Sequence, residues 1–253
     1  MTDTTPKPPS PPLRTAAVIP AAGAGVRLGP GAPKALRPLG GTPMLVHAVR
    51  AMARARAVSL VVVVAPPAEV AAVRSLLDEH PPPPAVDQVV VPGGATRQES
   101  VGLGLAALPE DIAVVLVHDA ARPLVPADTV DTVAAAVRAG ARAVVPALPV
   151  TDTVKQVAPG APAGDGPEPV VATPDRALLR AVQTPQGFDR GTLDEAHARF
   201  GADTATDDAG LVERLGVPVV LVRGHEEAFK VTRPLDLVLA EAVLARRRMN
   251  DGF

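Results

Sequence analysis

Six short runs rich in β-branched residues limit what this chain can fold into: Ala16–Pro20, Ser59–Val64, Asp87–Val91, Ala113–Val117, Arg142–Pro146 and Pro218–Val222. Each is nearly continuous in apolar character, so each reads as a strand covered on both faces. Ala- and Leu-rich stretches of helical length lie between them, near 43–56, 67–78, 97–107 and 126–138, and a last helix is expected over about 234–248. Start and stop signals support several of these. Pro67 opens a helix with Glu69 in its first turn, Gly140 stands just past an end, and Arg246, Arg247 and Arg248 close the last helix. Buried strands separated by helices predict a doubly wound α/β domain with a mostly parallel sheet, which binds ligands outside the carboxyl ends of its strands.

One segment breaks the rhythm. Between Val150 and Asp175 two strand-like pieces, TDTVKQV and EPVVAT, flank a tip rich in Pro and Gly. This predicts a protruding β-hairpin arm. The expected division is a disordered Pro-rich tail over 1–14, a core over 15–149 and 176–250, and the arm over 150–175. QTPQGF at 183–188 and TDD at 206–208 read as loop and cap signals, with Thr206 expected to cap a helix ending at Gly216.

Composition removes several classes of function. A net charge of −2 over 253 residues gives no electrostatic case for nucleic acid or a membrane surface as partner. With no Trp, no Tyr and four Phe, stacking on bases is nearly unavailable, so a nucleobase has to be read by backbone and small side chains. The absence of Cys removes disulfides, thiolate metal sites and a Cys nucleophile, and the five His show no ligand spacing. The longest apolar run, Leu60–Ala65, is too short to span a bilayer, and the Pro-rich start has no signal-peptide core, so a cytoplasmic place is the expectation.

The chemistry is expected at the strand ends. The first strand runs into AAGAGVRLGPGAPKAL, residues 21–36. Glycines there let backbone N–H groups approach phosphate oxygens. A Walker A loop fails, because Pro33 and Ala35 flank Lys34. A dinucleotide loop fails twice: Leu28 stands at the third glycine, and no acid occurs between Arg14 and Ala68, where seven Arg and Lys do. What remains is a glycine loop with two cations, Arg27 and Lys34, suited to a polyphosphate undergoing displacement. A structural turn with solvated charges is the plain alternative. Of 25 basic residues only four are Lys, and Lys34, Lys155 and Lys230 are the three beyond the tail, where a compact point charge suits phosphate.

The fourth strand delivers HDAARP, with Asp119 at its carboxyl end and Arg122 three residues on. Such an Asp is placed to hold Mg²⁺ against a triphosphate, because Mg²⁺ takes only one or two protein carboxylates. A helix cap or a partner for Arg122 is the plainer reading of Asp119, and His118 reads as a packed residue and not a base. GGATRQES, with Gly93, Gly94, Arg97 and Ser100, can present backbone donors at a helix start.

The full set, AAGAGVRLG…PK, GGATRQES, VHDAARP, TDTVK, TPDR, QTPQGF, TDDA and KVTRP, resembles the 2-C-methyl-D-erythritol 4-phosphate cytidylyltransferases over roughly residues 15–248, in the family's order. The resemblance implies a Rossmann-like nucleotidyltransferase that moves CMP from CTP to methylerythritol phosphate and releases pyrophosphate. It also implies roles: Arg27 and Lys34 at the α-phosphate, and Asp119 at Mg²⁺ and substrate with Arg122 beside it. Ala21, Ala22, Gly23, Ala24, Gly25, Gly94, Ala95, Arg97 and Ser100 are implied at CTP, and Thr153, Arg176 and Lys230 at the acceptor. It further implies a homodimer in which the arm crosses to the second subunit. The rivals are a cytidylyltransferase for another polyol phosphate such as ribitol 5-phosphate, a nucleotide-binding module without turnover, and a dinucleotide oxidoreductase.

Overall fold

The computed structural model describes residues 14–23, 33–158, 166–201 and 205–250. Strand β1 (Arg14–Pro20) leads, and the ribbon of β2 (Pro38–Leu39) and β3 (Thr42–Pro43) precedes helix α1 (Met44–Ala53). Then come β4 (Val58–Ala65), α2 (Val70–Asp78), β5 (Asp87–Pro92), α3 (Arg97–Ala106), β6 (Ile112–Val117), α4 (Ala127–Arg138) and β7 (Ala143–Pro149). The arm carries β8 (Gln156–Val157) and β9 (Val170–Ala172). Then follow β10 (Arg180–Val182), β11 (Gln186–Asp189), α5 (Arg190–Phe200), α6 (Asp208–Arg214), β12 (Val220–Arg223) and α7 (Pro234–Asn250).

The sheet runs β5-β4-β1-β6-β11-β7, and β10 and β12 also pair with β7. Only β10 and β11 run against the rest, so the sheet is mostly parallel as the apolar runs predict. Alternate residues of each strand feed opposite cores. Ala17, Ile19, Val61 and Val63 pack under α1, α2 and α4. Ala16, Val18, Val62 and Val64 pack under α3, α5 and α6. Helices on both faces explain why the strand sequences show no alternation. A third cluster, built on Leu39, Met44, Leu124, Val231 and Ala240, seats α7 against β2 and the loop after β6.

The structure corrects the sequence-based expectation at five places. Gln186–Phe188 is not loop but strand β11, lying antiparallel between β6 and β7. With one apolar side chain it carries no strand pattern. Its position comes from pairing on both edges and from Gly187, where a Cβ would sit 2.5 Å from Val133. Helix α5 went unread because only Thr192, Leu193 and Ala196 are buried on it, too thin a stripe to show. The cap of α6 is Asp207, which accepts from the Gly210 N–H, and not Thr206. Arg14 belongs to β1 and pairs with Asp87 and Asp111, so the core takes in residue 14, which the sequence assigns to the tail. Residues 1–13 and the arm tip 159–165 lie outside the described residues. The arm's paired strands are shorter than TDTVKQV and EPVVAT, two and three residues.

Candidate active site

After β1 the chain moves to β4 and β5 on one side, then returns to β6 on the other. The crevice between the ends of β1 and β6 is therefore the switch point at which doubly wound sheets bind ligands. A cavity of about 250 Å³ opens there. Its walls are Pro20 at the end of β1 with Ala21–Gly23 beyond it, Lys34 and Ala35, Gly94–Arg97 with Ser100 at the start of α3, Asp119–Ala121 after β6, and Lys230 with Thr232.

Local chemistry aims each wall. Thr96 caps α3 by accepting the Glu99 N–H at 3.0 Å, while the Glu99 carboxylate reaches back to the Ala95 N–H at 2.7 Å. A Cβ on Gly94 would press on the Glu99 side chain, so a larger residue there would push that carboxylate off the Ala95 N–H. The Gly94 N–H donates to Ser100 Oγ at 3.2 Å. Lys230 is carried into the cavity because the Val231 N–H donates to the Ala121 carbonyl at 2.8 Å. Asp236 then stops the segment, accepting from the N–H groups of Thr232 and Arg233 at the start of α7.

Asp119 is the only carboxylate on this wall among the described residues. Its side chain is 14% exposed, with Lys230 Nζ 2.7 Å from Oδ2 and Arg97 Nε 3.5 Å from Oδ1. Burial alone would push its carboxyl up, but Arg97 and Lys230 outweigh that and hold it well below the usual carboxylate range. Arg97 is braced from behind by Asp208, fully buried, at 2.7 Å, and Asp208 also takes a hydrogen bond from His197 at 2.9 Å. The cavity thus holds an ionised carboxylate between fixed cations, with a second carboxylate out of reach of solvent. For a hard divalent cation the donor set fits: one ionised carboxylate is enough where triphosphate oxygens and water complete the shell.

The family model for 2-C-methyl-D-erythritol 4-phosphate cytidylyltransferase matches residues 15–246. The chain belongs to that family. The cytidylyltransferase of that name from Streptomyces coelicolor is 74% identical over 96% of this chain and 89% of its own length. Its counterpart from Streptomyces avermitilis is 73% identical over 95% of each chain. A solved structure of the cytidylyltransferase from Thermus thermophilus, 41% identical, covers 91% of this chain and 98% of its own, with a TM-score of 0.69.

Against that membership, the structure places most of the expected site residues of this cytidylyltransferase. Ala21, Ala22, Gly23, Lys34, Gly94, Ala95, Arg97, Ser100, Asp119 and Lys230 all line the cavity. Arg122 does not: its guanidinium donates to the carbonyls of Ala228, at 2.7 Å, and Val182, at 3.2 Å, so it frames the wall that carries Lys230. Thr153 lies on the exposed arm and Arg176 just past its end, where it donates to the Thr151 carbonyl at 2.6 Å. Ala24, Gly25 and Arg27 lie outside the described residues. The backbone donors of Gly94 and Ala95 are already engaged by Ser100 and Glu99. Sequence reasoning missed Thr96, Ala120, Ala121 and Thr232 on the wall and Asp208 behind it. The T-x-x-E spacing of Thr96 and Glu99 was the available signal for the first of these.

His118 is wholly buried beneath the site, with Nδ1 3.0 Å from Thr184 Oγ1 and Nε2 3.2 Å from the Arg122 carbonyl. The same Thr184 hydroxyl accepts the Asp119 N–H at 3.0 Å, so His118 fixes the turn that aims Asp119. Burial pushes the imidazole down to about 4, against an ordinary value of 6.5. Between those two pH values the unfolded chain binds a proton that the folded chain refuses, so stability falls as pH drops from 6.5 toward 4. The expected loss is about 3 kcal/mol. Urea unfolding at a series of pH values should show this slope, and His118→Asn should flatten it in that window. An unchanged slope would mean His118 is charged in the folded protein.

Proposed function

We propose that this transferase moves CMP from CTP to 2-C-methyl-D-erythritol 4-phosphate and releases pyrophosphate, serving isoprenoid precursor synthesis. The carrying observation is the convergence of Lys34, Lys230 and Arg97 around the single carboxylate Asp119 at the switch point. An oxygen of the acceptor's phosphate forms a bond to the α-phosphorus of CTP while the bond from that phosphorus to the pyrophosphate oxygen breaks. The acceptor is already an anion, so no base or covalent intermediate is needed, which agrees with a buried, uncharged His118. The work left to the protein is alignment and charge stabilisation.

In this reading Lys34 meets charge growing on the transferring phosphoryl group, with Arg27 as its partner, and Lys230 positions the acceptor. Arg97 and Ser100 belong to the CTP end with the 21–25 loop. Asp119 would hold Mg²⁺, which when bound neutralises phosphate oxygens that the cations do not reach. The chain acts as a homodimer through its arm, and Thr153 and Arg176 reach the partner's cavity. In support, both lie off their own cavity, and Val170, Val171 and Leu178 leave apolar surface exposed on and beside the arm.

Pyrophosphate release from CTP, measured with methylerythritol phosphate and with ribitol 5-phosphate in turn, tests the reading. Release with the first acceptor and little with the second is expected. Release with neither would leave a binding module, and preference for ribitol 5-phosphate would replace the substrate.

A further inference from the structure

A second cavity, of about 230 Å³, lies between α1, the loop 123–127 and the end of α7, and shares no lining residue with the first. His47, Arg50, Arg54, Arg247 and Arg248 line it, and no carboxylate does among the described residues. Glu227 accounts for Arg246 and Arg247 by pairing with both. Arg50, Arg54 and Arg248 have no carboxylate partner among the described residues. The Arg50 guanidinium lies 3.4 Å from His80 Nδ1, and that of Arg248 lies 3.3 Å from the Gly40 carbonyl. His47 donates from Nε2 to the Leu39 carbonyl at 2.9 Å. Burial pushes its imidazole below the ordinary value, and Arg50, Arg248 and Arg54 add to that push, so the site does not gain its charge from His47.

Three guanidinium groups lining one small space, two of them exposed, favour an anion among them, and their planar forks match phosphate oxygens in pairs. The floor is apolar, from Leu124, Val125 and Leu244, and Pro123 and Pro126 lack N–H groups, so the donors are the side chains. Two linked phosphates carry enough anionic oxygens to engage all three forks at once, which a single phosphate cannot do.

We propose that this cavity is a second anion site, separate from the catalytic one, that binds a small diphosphate. It adjoins the active site through one loop. Asp119–Ala121 line the first cavity and Pro123–Ala127 the second, and Arg247 clamps the Leu124 carbonyl between them at 2.6 Å. A diphosphate held by these arginines sits against the loop that presents Asp119, and any change it makes in affinity at the first cavity would be matched by an equal change in its own.

The test is calorimetric titration of the full chain with inorganic pyrophosphate in metal-free buffer. Lys34→Ala with Lys230→Ala removes the catalytic site as a competitor and should leave one saturable event. Adding Arg54→Gln and Arg248→Gln, both exposed and so safe for folding, should weaken that event roughly tenfold or more per guanidinium. Circular dichroism confirms that each variant folds. The proposal is overturned if the Lys34/Lys230 variant binds no pyrophosphate, if the arginine substitutions leave its affinity unchanged, or if orthophosphate binds as tightly. A methyl ester of diphosphate separates the sources: tighter binding of the ester assigns an organic diphosphate, and tighter binding of pyrophosphate assigns the free ion.

Discussion

An Asp119→Asn chain is expected to turn over roughly 10²–10³ times more slowly, the scale for removing one preorganised charged group from a transition-state site. It should still fold. Arg97 keeps Asp208 at 2.7 Å, and Lys230 is 41% exposed and can turn to water. The stability cost should therefore stay near 1–3 kcal/mol. The two roles open to Asp119 predict different side effects. If it anchors the divalent cation, the Mg²⁺ dependence of the residual activity should shift to higher concentration. If it only offsets Lys230 and Arg97, that dependence should stay where it is. In both cases CTP without metal should bind at least as tightly as before, because a negative charge beside the triphosphate has gone. Full activity in a well-folded Asn variant would remove Asp119 from the chemistry altogether.

The parallel half of this fold was legible because burial on both faces leaves a mark in sequence. Ile19, Val62 and Leu116 sit at 0% exposure, and runs built of such residues can hardly be anything but covered strands. What stayed hidden is held by tertiary contact alone. Gln186 is buried in β11 because its amide donates to Asp207 at 2.6 Å and accepts from the Ala209 N–H at 3.1 Å. A polar residue so satisfied looks like loop until its partners are known. The site divides in the same way. Glycine turns and strand-end charges single out Gly94, Arg97, Asp119 and Lys230, which all line the cavity, because the topology of the sheet decides where strand ends meet. The bracing of Arg97 by Asp208 and His197 was not readable, since these residues stand 111 and 100 positions away and carry no motif that links them to it. The turn of Arg122 away from the wall also depends on carbonyls of β10 and of the 226–228 turn, which no spacing announces.

Mixing two inactive variants should restore activity. Among the described residues the arm strands β8 and β9 pair only with each other, over two and three residues, and a ribbon of that size is marginal in water. Its neighbourhood carries exposed apolar side chains, with Leu178 82% exposed and Val171 55%. A second copy of the chain is the simplest cover, because a two-fold contact presents the same patch twice. Arg176 stands where such an arm would hand it over: it begins the short 3-10 turn Arg176–Leu178, capped by Asp175, and it does not line its own cavity. A guanidinium can grip an acceptor phosphate with two parallel bonds, which an ammonium cannot do. Lys34, by contrast, lines the cavity of its own chain. Arg176→Ala and Lys34→Ala should each be nearly inactive, Lys34→Ala by roughly 10²–10³ in kcat with CTP binding less affected. In their heterodimer one cavity then carries both lesions and the other carries neither. Random exchange makes about half of the dimers mixed, so roughly a quarter of wild-type activity should return if the two sites are independent. If Arg176 serves its own subunit, every cavity of the mixture stays damaged. Exchange verified by mass spectrometry without any recovery of turnover would rule out a shared site.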